Sequence, residues 1–311
     1  MKKLLCVIML LCMLLTLCAC GSKELTFATG SETGTYYAFG NIIAQYISSE
    51  TDVKITAVSS NGSQANVEDI DSGDVQLGFC QSDVMSYAYN GTSLFSQSVD
   101  SFSVVAALYM EQVQIVTMNP DIKTVADLEG KVVSIGASGS GTYFNALDIL
   151  GAYGLGENDI QPVYQGFTDS ADSLKDGKID AAFIVAGAPT NAIMDLSVGG
   201  QVYLVSLDDE HIDSLIASSP YYKKNVIAAD VYGTPEDVST VAIAAMILVR
   251  DDVSEDDVYT IVSTIFDNAG ELKHGKASEL DIAFAASITD VPYHPGAARY
   301  FAEKGFDVPV K

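Results

Sequence analysis

Ser31-Glu32-Thr33-Gly34-Thr35-Tyr36-Tyr37 and Ser138-Gly139-Ser140-Gly141-Thr142-Tyr143-Phe144 hold residue types that suit a small anion. Each stretch follows a short apolar run of β type, at 25–29 and 132–136, and each leads into a helical pattern. Phe39, Ile42, Ile43, Tyr46 and Ile47 share one helix face after the first; Tyr143, Phe144, Leu147 and Leu150 do so after the second. Both loops therefore sit at helix N-termini, where first-turn N–H groups lack intrahelical partners and the dipole is positive. Tight turns of this kind also serve only to reverse a chain, but here the pattern is duplicated. Asp71-Ser72-Gly73-Asp74-Val75-Gln76-Leu77-Gly78-Phe79 likewise parallels Asp176-Gly177-Lys178-Ile179-Asp180-Ala181-Ala182-Phe183, each a turn feeding a buried strand. The chain reads as two related halves that offer helix starts to one anion from opposite sides.

Other residues fall near the same place. Asn61, Gly62, Ser63 and Asn66 follow the second strand and make a further nest, with Ser63 equally an N-cap. Gln81 and Ser82 end the third strand and are assigned to ligand contact. Asp83 caps the next helix or, less favoured, receives a ligand ammonium. Tyr109 covers a bound solute or packs between the halves, and Gly187 lets backbone approach a ligand closely. The candidate ligand residues are thus Gly34, Thr35, Tyr36, Ser63, Gln81, Ser82, Tyr109, Ser138, Gly139, Ser140, Gly141, Thr142 and Gly187. Guanidinium forks are the usual carboxylate clamp, but the only arginines, Arg250 and Arg299, lie at a late strand end and in a terminal helix. Backbone nests and hydroxyls must hold the anion instead.

Enzyme patterns fail on specific residues. No Lys follows Gly141, as a phosphate loop requires, and Phe144 stands where a dinucleotide loop has its third Gly. His211, His274 and His294 are far apart, without metal-ligand spacing. The acidic run Asp251, Asp252, Glu255, Asp256 and Asp257 lacks calcium-loop spacing and suits a solvated helix start. No catalytic residue, metal or cofactor is assigned. An extracytoplasmic hydrolase would need a nucleophile and base that the sequence does not offer.

The elements that position these residues alternate. β-type runs lie at 25–29, 53–58, 75–80, 104–108, 113–118, 132–136, 160–164, 181–186, 202–207 and 241–249, several of them apolar throughout, as in parallel strands covered on both faces. Helical patterns lie at 64–71, 124–128, 169–176 and 190–196, and the last third is mostly helical, at 255–268, 277–287 and 297–304. The implied class is α/β, with two βαβ domains. The first spans 21–112 plus 233–311 and the second 113–232, so two connections near 109–112 and 232 form a hinge at a ligand cleft.

The 311 residues carry 41 acidic against 16 basic side chains, and the net charge of −25 argues against nucleic acid or an anionic membrane surface as partner. Residues 1–20 read as a lipoprotein signal: Lys2 and Lys3, an apolar run at 4–17, then Leu17-Cys18-Ala19-Cys20, with Cys20 lipidated. A membrane lipoprotein on the extracytoplasmic face is expected, and as a monomer. Cys80 is then the only thiol of the body besides the lipidated residue, so no internal disulfide forms.

Taken in order, Phe27-Ala28-Thr29-Gly30, Gly34-Thr35-Tyr36-Tyr37-Ala38-Phe39-Gly40, Asn61-Gly62-Ser63, Gln81-Ser82-Asp83, Ala107-Leu108-Tyr109, Asp127-Leu128-Glu129-Gly130-Lys131-Val132, the loop 136–142, Ala186-Gly187-Ala188-Pro189 and His294-Pro295-Gly296-Ala297 resemble the TRAP-associated extracytoplasmic immunogenic (TAXI) receptors. Met110 departs from the pattern, which has Pro there. The resemblance implies a type II periplasmic-binding-protein fold, a ligand such as glutamate, glutamine or 2-oxoglutarate, and a TRAP permease driven by an ion gradient as partner. The alternative is a lipoprotein of the same fold serving an ABC importer or a chemosensory system.

Overall fold

The computed structural model describes residues 24–311; the leader and Cys20 lie outside the described residues. Strand β1 (Glu24–Ala28) leads into α1 (Thr35–Glu50), β2 (Lys54–Val58) into α2 (Ser63–Ser72), and β3 (Leu77–Gln81) directly into α3 (Ser82–Asn90). These strands pair in parallel in the order β2-β1-β3. The long β4 (Phe102–Thr117) then crosses the molecule. Beyond it, β5 (Val132–Ser134) leads into α4 (Gly141–Ala152), β6 (Gln161–Val163) into α5 (Phe167–Lys175), and β7 (Ala181–Ala186) into α6 (Asn191–Gly199), again with parallel strands. After β8 (Tyr203–Leu204), α7 (Asp209–Ser218) and β9 (Lys223–Ile227), β10 (Val238–Arg250) crosses back, and α8 (Glu255–Asp267), α9 (Ile282–Ala285) and α10 (Pro295–Glu303) end the chain.

β4 and β10 lie antiparallel at the centre, with Ala244 opposite Met110 and Ala245 opposite Tyr109, and they join both parallel sets into one ten-stranded sheet. The apolar cores change at that crossing. Tyr109 and Ala244 belong to one core with Phe27, Phe79 and Phe301, whereas Val113 and Ile243 belong to another with Phe183 and Tyr222. Strands here lack polar alternation because both faces are covered. In β7, Ala181, Phe183 and Val185 enter one core while Ala182, Ile184 and Ala186 enter a third, which is the two-residue period of a strand with apolar layers on either side.

Several sequence expectations are corrected. The runs at 104–108 and 113–118 are one strand, because residues 109–112 keep pairing with β10 through the crossing. The sheet is mixed, not parallel throughout. The helix expected at 277–287 is a 3-10 turn (Gly275–Glu279) followed by α9, broken where Asp281 restarts the chain by accepting from the Phe284 N–H. β9 adds a strand where Lys223-Lys224-Asn225 offer no apolar signal; it pairs only with β10.

Candidate functional site

Loops leaving the carboxyl ends of β1, β2, β5 and β6 enclose a cavity of about 510 Å³ at the crossing. Helices α1, α2, α4 and α5 begin at its wall. Gly34, Gly62 and Gly166 hold the N-cap positions of α1, α2 and α5, and no side chain caps those helices. Only α4 is capped from within, Ser140 accepting the Tyr143 N–H at 3.2 Å. Backbone donors at positive dipole ends therefore face a common space. Glu32, Glu111 and Asp169 line the cavity too, and among the described residues no lysine or arginine does. Arg250 is paired with Asp252, and Arg299 with Glu255 and Asp256, on the surface.

Of the residues assigned to a ligand from sequence, Gly34, Thr35, Tyr36, Ser63, Gln81, Ser140, Gly141 and Thr142 line the cavity. Ser82, Tyr109, Ser138, Gly139 and Gly187 are not among its lining residues. Ser138 is exposed, and Ser82 starts α3 behind Gln81. Tyr109 is buried against Phe39, with the Lys276 ammonium 5.5 Å from its ring. The Gly139 carbonyl accepts the Ala65 N–H at 3.0 Å, and the Gly187 carbonyl accepts the Thr35 hydroxyl at 2.8 Å. The close approach at Gly187 is thus to protein.

Several polar side chains brought to the site build it. Ser63 Oγ accepts the Gln81 N–H at 3.1 Å. Asn66 Nδ2 donates to the carbonyls of Thr29 and Phe79, both at 2.8 Å, fixing the ends of β1 and β3. Asp83 does not cap α3 from outside but sits in its first turn: Oδ1 accepts the Val84 N–H at 2.7 Å, and Oδ2 accepts Asn145 Nδ2 at 2.9 Å. His294 makes the turn contact its Pro-Gly sequel suggests, accepting the Gly296 N–H and capping α10.

Two cavity features escape sequence reasoning. Gly166-Phe167-Thr168-Asp169 is a further strand-to-helix start, readable from Gly166 after a β run, although the helical pattern is visible only from Asp169. Glu111 is the other; its signal is an acid directly after the apolar run from Val104 to Met110. It is 2% exposed. Burial pushes its carboxyl up to about 8, opposed by contact with the Tyr36 hydroxyl and the charge on Lys276, and reinforced by Asp83. Burial also raises Asp83 to about 7, opposed chiefly by the Val84 N–H.

Hydrogen bonds also bridge opposite sides of the cavity. Besides the bonds at Gly139 and Gly187, Ala192 N–H donates to the Thr33 carbonyl at 3.2 Å, and the Thr33 and Thr168 hydroxyls meet at 3.1 Å. At the back, Gln81 Nε2 donates to Asn145 Oδ1 at 3.0 Å.

The NMT1-like family matches residues 27–305. The chain belongs to that family. Among solved structures it is similar to the alkanesulfonate-binding protein SsuA from Xanthomonas axonopodis pv. citri bound to MOPS, at 17% identity over 90% of this chain and 83% of that one, with a TM-score of 0.53. A protein from Bordetella bronchiseptica RB50 matches at 15% identity, 84% and 76% coverage and TM-score 0.55. The zinc-bound ligand-binding component of an ABC-type import system from Staphylococcus aureus matches at 11% identity, 93% and 94% coverage and TM-score 0.51. These likenesses show the fold, a mixed α/β architecture of the type II periplasmic-binding-protein kind.

They also correct the TAXI resemblance. The matching family is the NMT1-like one, and the neighbours are sulfonate-binding and ABC-type import proteins rather than TRAP receptors. The TRAP permease as partner, and glutamate or a dicarboxylate as ligand, lose their basis with it. The physical reason lies in the motifs that suggested the resemblance. Gly34-Thr35-Tyr36 and Gly139-Ser140-Gly141-Thr142 are what a strand-to-helix turn at a cleft requires, so they report fold rather than transport partner.

Proposed function

We propose that this chain is an extracytoplasmic solute-binding receptor, tethered through Cys20, which encloses a small organic monoanion between hinged halves and presents it to the permease of an ABC importer. The observation that carries this reading is the set of helix starts at Thr35, Ser63, Gly141 and Phe167 around one cavity, glycine-capped at all but one, in a wall to which no described residue adds a basic side chain. Glu32 and Asp169 in the same wall, and Glu111 wherever it is ionised, disfavour a dianion. The alkanesulfonate-binding and ABC-type import neighbours make a sulfonate the first ligand to try and an ABC permease the partner. The β4 and β10 crossing, where one core gives way to another, is the hinge of this reading.

A melting screen of the purified protein against short sulfonates and carboxylates tests it, since a ligand bound only by the folded state stabilises it by about 2.7 kcal/mol at a hundredfold excess over Kd. Some monoanion should raise Tm, and Gly141→Ala should abolish the rise, because its Cβ would stand 1.7 Å from Gln81 Oε1 and 2.8 Å from Ser63 Oγ. A screen with no shift, or a shift that survives Gly141→Ala, removes the receptor reading.

A further inference from the structure

We infer that Tyr36, Gln81 and Glu111 form a subsite for a hydrogen-bond donor on the ligand, so that the bound monoanion carries an ammonium or hydroxyl group besides its acidic group. The inference rests on the receptor reading above. The three side chains come from the start of α1, the end of β3 and the middle of β4, and all line the cavity. Tyr36 Oη, Gln81 Oε1 and Glu111 Oε2 are buried without a well-formed hydrogen bond, Tyr36 and Gln81 lying near enough to Glu111 to act on its carboxyl. A buried polar atom left unpaired is costly, and native proteins rarely keep several together without a use.

The Tyr36 hydroxyl, the donor of the cluster, lies against Glu111, which leaves acceptor oxygens to be filled. Gln81 Nε2 donates to Asn145 Oδ1 at 3.0 Å, and Asn145 is itself oriented because its Nδ2 donates to Asp83 and to the Tyr222 hydroxyl, both at 2.9 Å. The Gln81 carboxamide is therefore turned with its oxygen, an acceptor only, toward the start of α4, where a Cβ on Gly141 would meet it. Glu111 supplies carboxyl oxygens that a ligand ammonium would hold in the ionised, accepting form, and Lys276, whose charge reaches it, is held by Glu279 at 2.6 Å. The protein thus leaves acceptors unfilled at one wall while helix N-termini supply donors at the others. A ligand acid at the helix ends and a ligand N–H or O–H at Glu111 and Gln81 would complete both. An alkyl tail would leave the acceptors unpaired, and a second acid would oppose Glu111.

Titration calorimetry with ligands of matched length tests this: 2-aminoethanesulfonate, 2-hydroxyethanesulfonate, ethanesulfonate and ethane-1,2-disulfonate, with β-alanine, 3-hydroxypropionate and propionate as the carboxylate set. The amino or hydroxy member should bind at least about tenfold more tightly than the unsubstituted one, and the disulfonate more weakly than either. Preference for the amino member assigns the donor as ammonium, and preference for the hydroxy member as hydroxyl. Glu111→Gln should cut the favoured member's affinity about tenfold or more while changing the unsubstituted member's little, and Tyr36→Phe provides a second variant that keeps the ring. Equal binding of unsubstituted and substituted members, or a favoured disulfonate, overturns the inference and leaves the receptor reading standing. Failure of every ligand to bind overturns the receptor reading and the inference with it.

Discussion

Asn145 on α4 donates a 2.9 Å hydrogen bond to the carboxylate of Asp83 on α3, on the opposite side of the β4 and β10 crossing. Its other amide hydrogen goes to the Tyr222 hydroxyl at 2.9 Å, its oxygen takes Gln81 Nε2 at 3.0 Å, and Tyr222 in turn donates to Asp148 at 2.8 Å. Asn145 and Asp83 are fully buried. One carboxamide therefore satisfies polar groups of α3, β3 and Tyr222 immediately behind the cavity.

Replacing Asn145 should be expensive for the fold. Asn145→Leu keeps the branching but strips Asp83 Oδ2 and Gln81 Nε2 of their partners, and an unsatisfied buried group costs about 1–3 kcal/mol, more where it is charged. A loss of about 3 kcal/mol in urea unfolding at pH 7 is expected, with a smaller loss at pH 5, where a protonated Asp83 no longer needs the donor as strongly. A change below about 0.5 kcal/mol, the range of ordinary surface substitutions, would remove the network from the account of stability.

Asp83 and Glu111 also set a direction for pH dependence. Both carboxyls have folded-state pKa values above their ordinary ones, about 7 and about 8, with burial as the main cause. Between their ordinary values of 3.8 and 4.5 and those raised values, the folded protein holds more protons than the unfolded chain. Their contribution is complete below the ordinary values and is lost as pH rises, by up to about 1.4 kcal/mol per pH unit for each group. The protein should accordingly be more stable near pH 5 than near pH 8, and Glu111→Gln should flatten the slope by close to one proton. Unfolding curves at a series of pH values measure this; an equal slope in wild type and Glu111→Gln would show that Glu111 ionises in the folded state as it does in water.

How far the residues announce this site differs from element to element. The starts of α1 and α4 are legible because glycine and hydroxyl residues stand directly between a β run and a helical face, and Gly34 through Tyr36 and Ser140 through Thr142 all reach the cavity. The covered sheet is legible for a similar reason, since runs such as Ala181–Ala186 have no polar alternation. The single strand from Phe102 to Thr117 is not, because Glu111 and Gln112 look like the end of a strand when burial is judged from residue type alone. What the sequence cannot supply is the partner of each polar group. Thr35 has the composition of a ligand contact, yet its hydroxyl is committed to the Gly187 carbonyl; Glu111 has the composition of an exposed turn, yet it is buried at the cavity wall. Those assignments depend on contacts over 152 residues for Thr35 and on the β4 and β10 ladder for Glu111, so no local pattern encodes them.

Gly187 gives the most direct test of closure. It follows β7 in the second half, and a Cβ there would lie 2.4 Å from Lys276 Cε, 3.1 Å from Thr35 Cγ2 and 3.1 Å from Tyr109 Cε2. Lys276 is 4% exposed and tied to Glu279 at 2.6 Å, so its side chain cannot swing aside without breaking that pair in a buried place. Gly187→Ala should therefore oppose the shut arrangement while leaving each core intact. Affinity for whichever anion stabilises the wild type should fall about tenfold or more, a penalty near 1.4 kcal/mol, with little change in the ligand-free Tm and a larger radius of gyration in X-ray scattering. Adding Lys276→Ala should restore room for the methyl group and recover much of the affinity. If Gly187→Ala binds as the wild type does and scatters identically, the contact among Gly187, Thr35 and Lys276 does not govern closure, and the hinge must be sought elsewhere along β4 and β10.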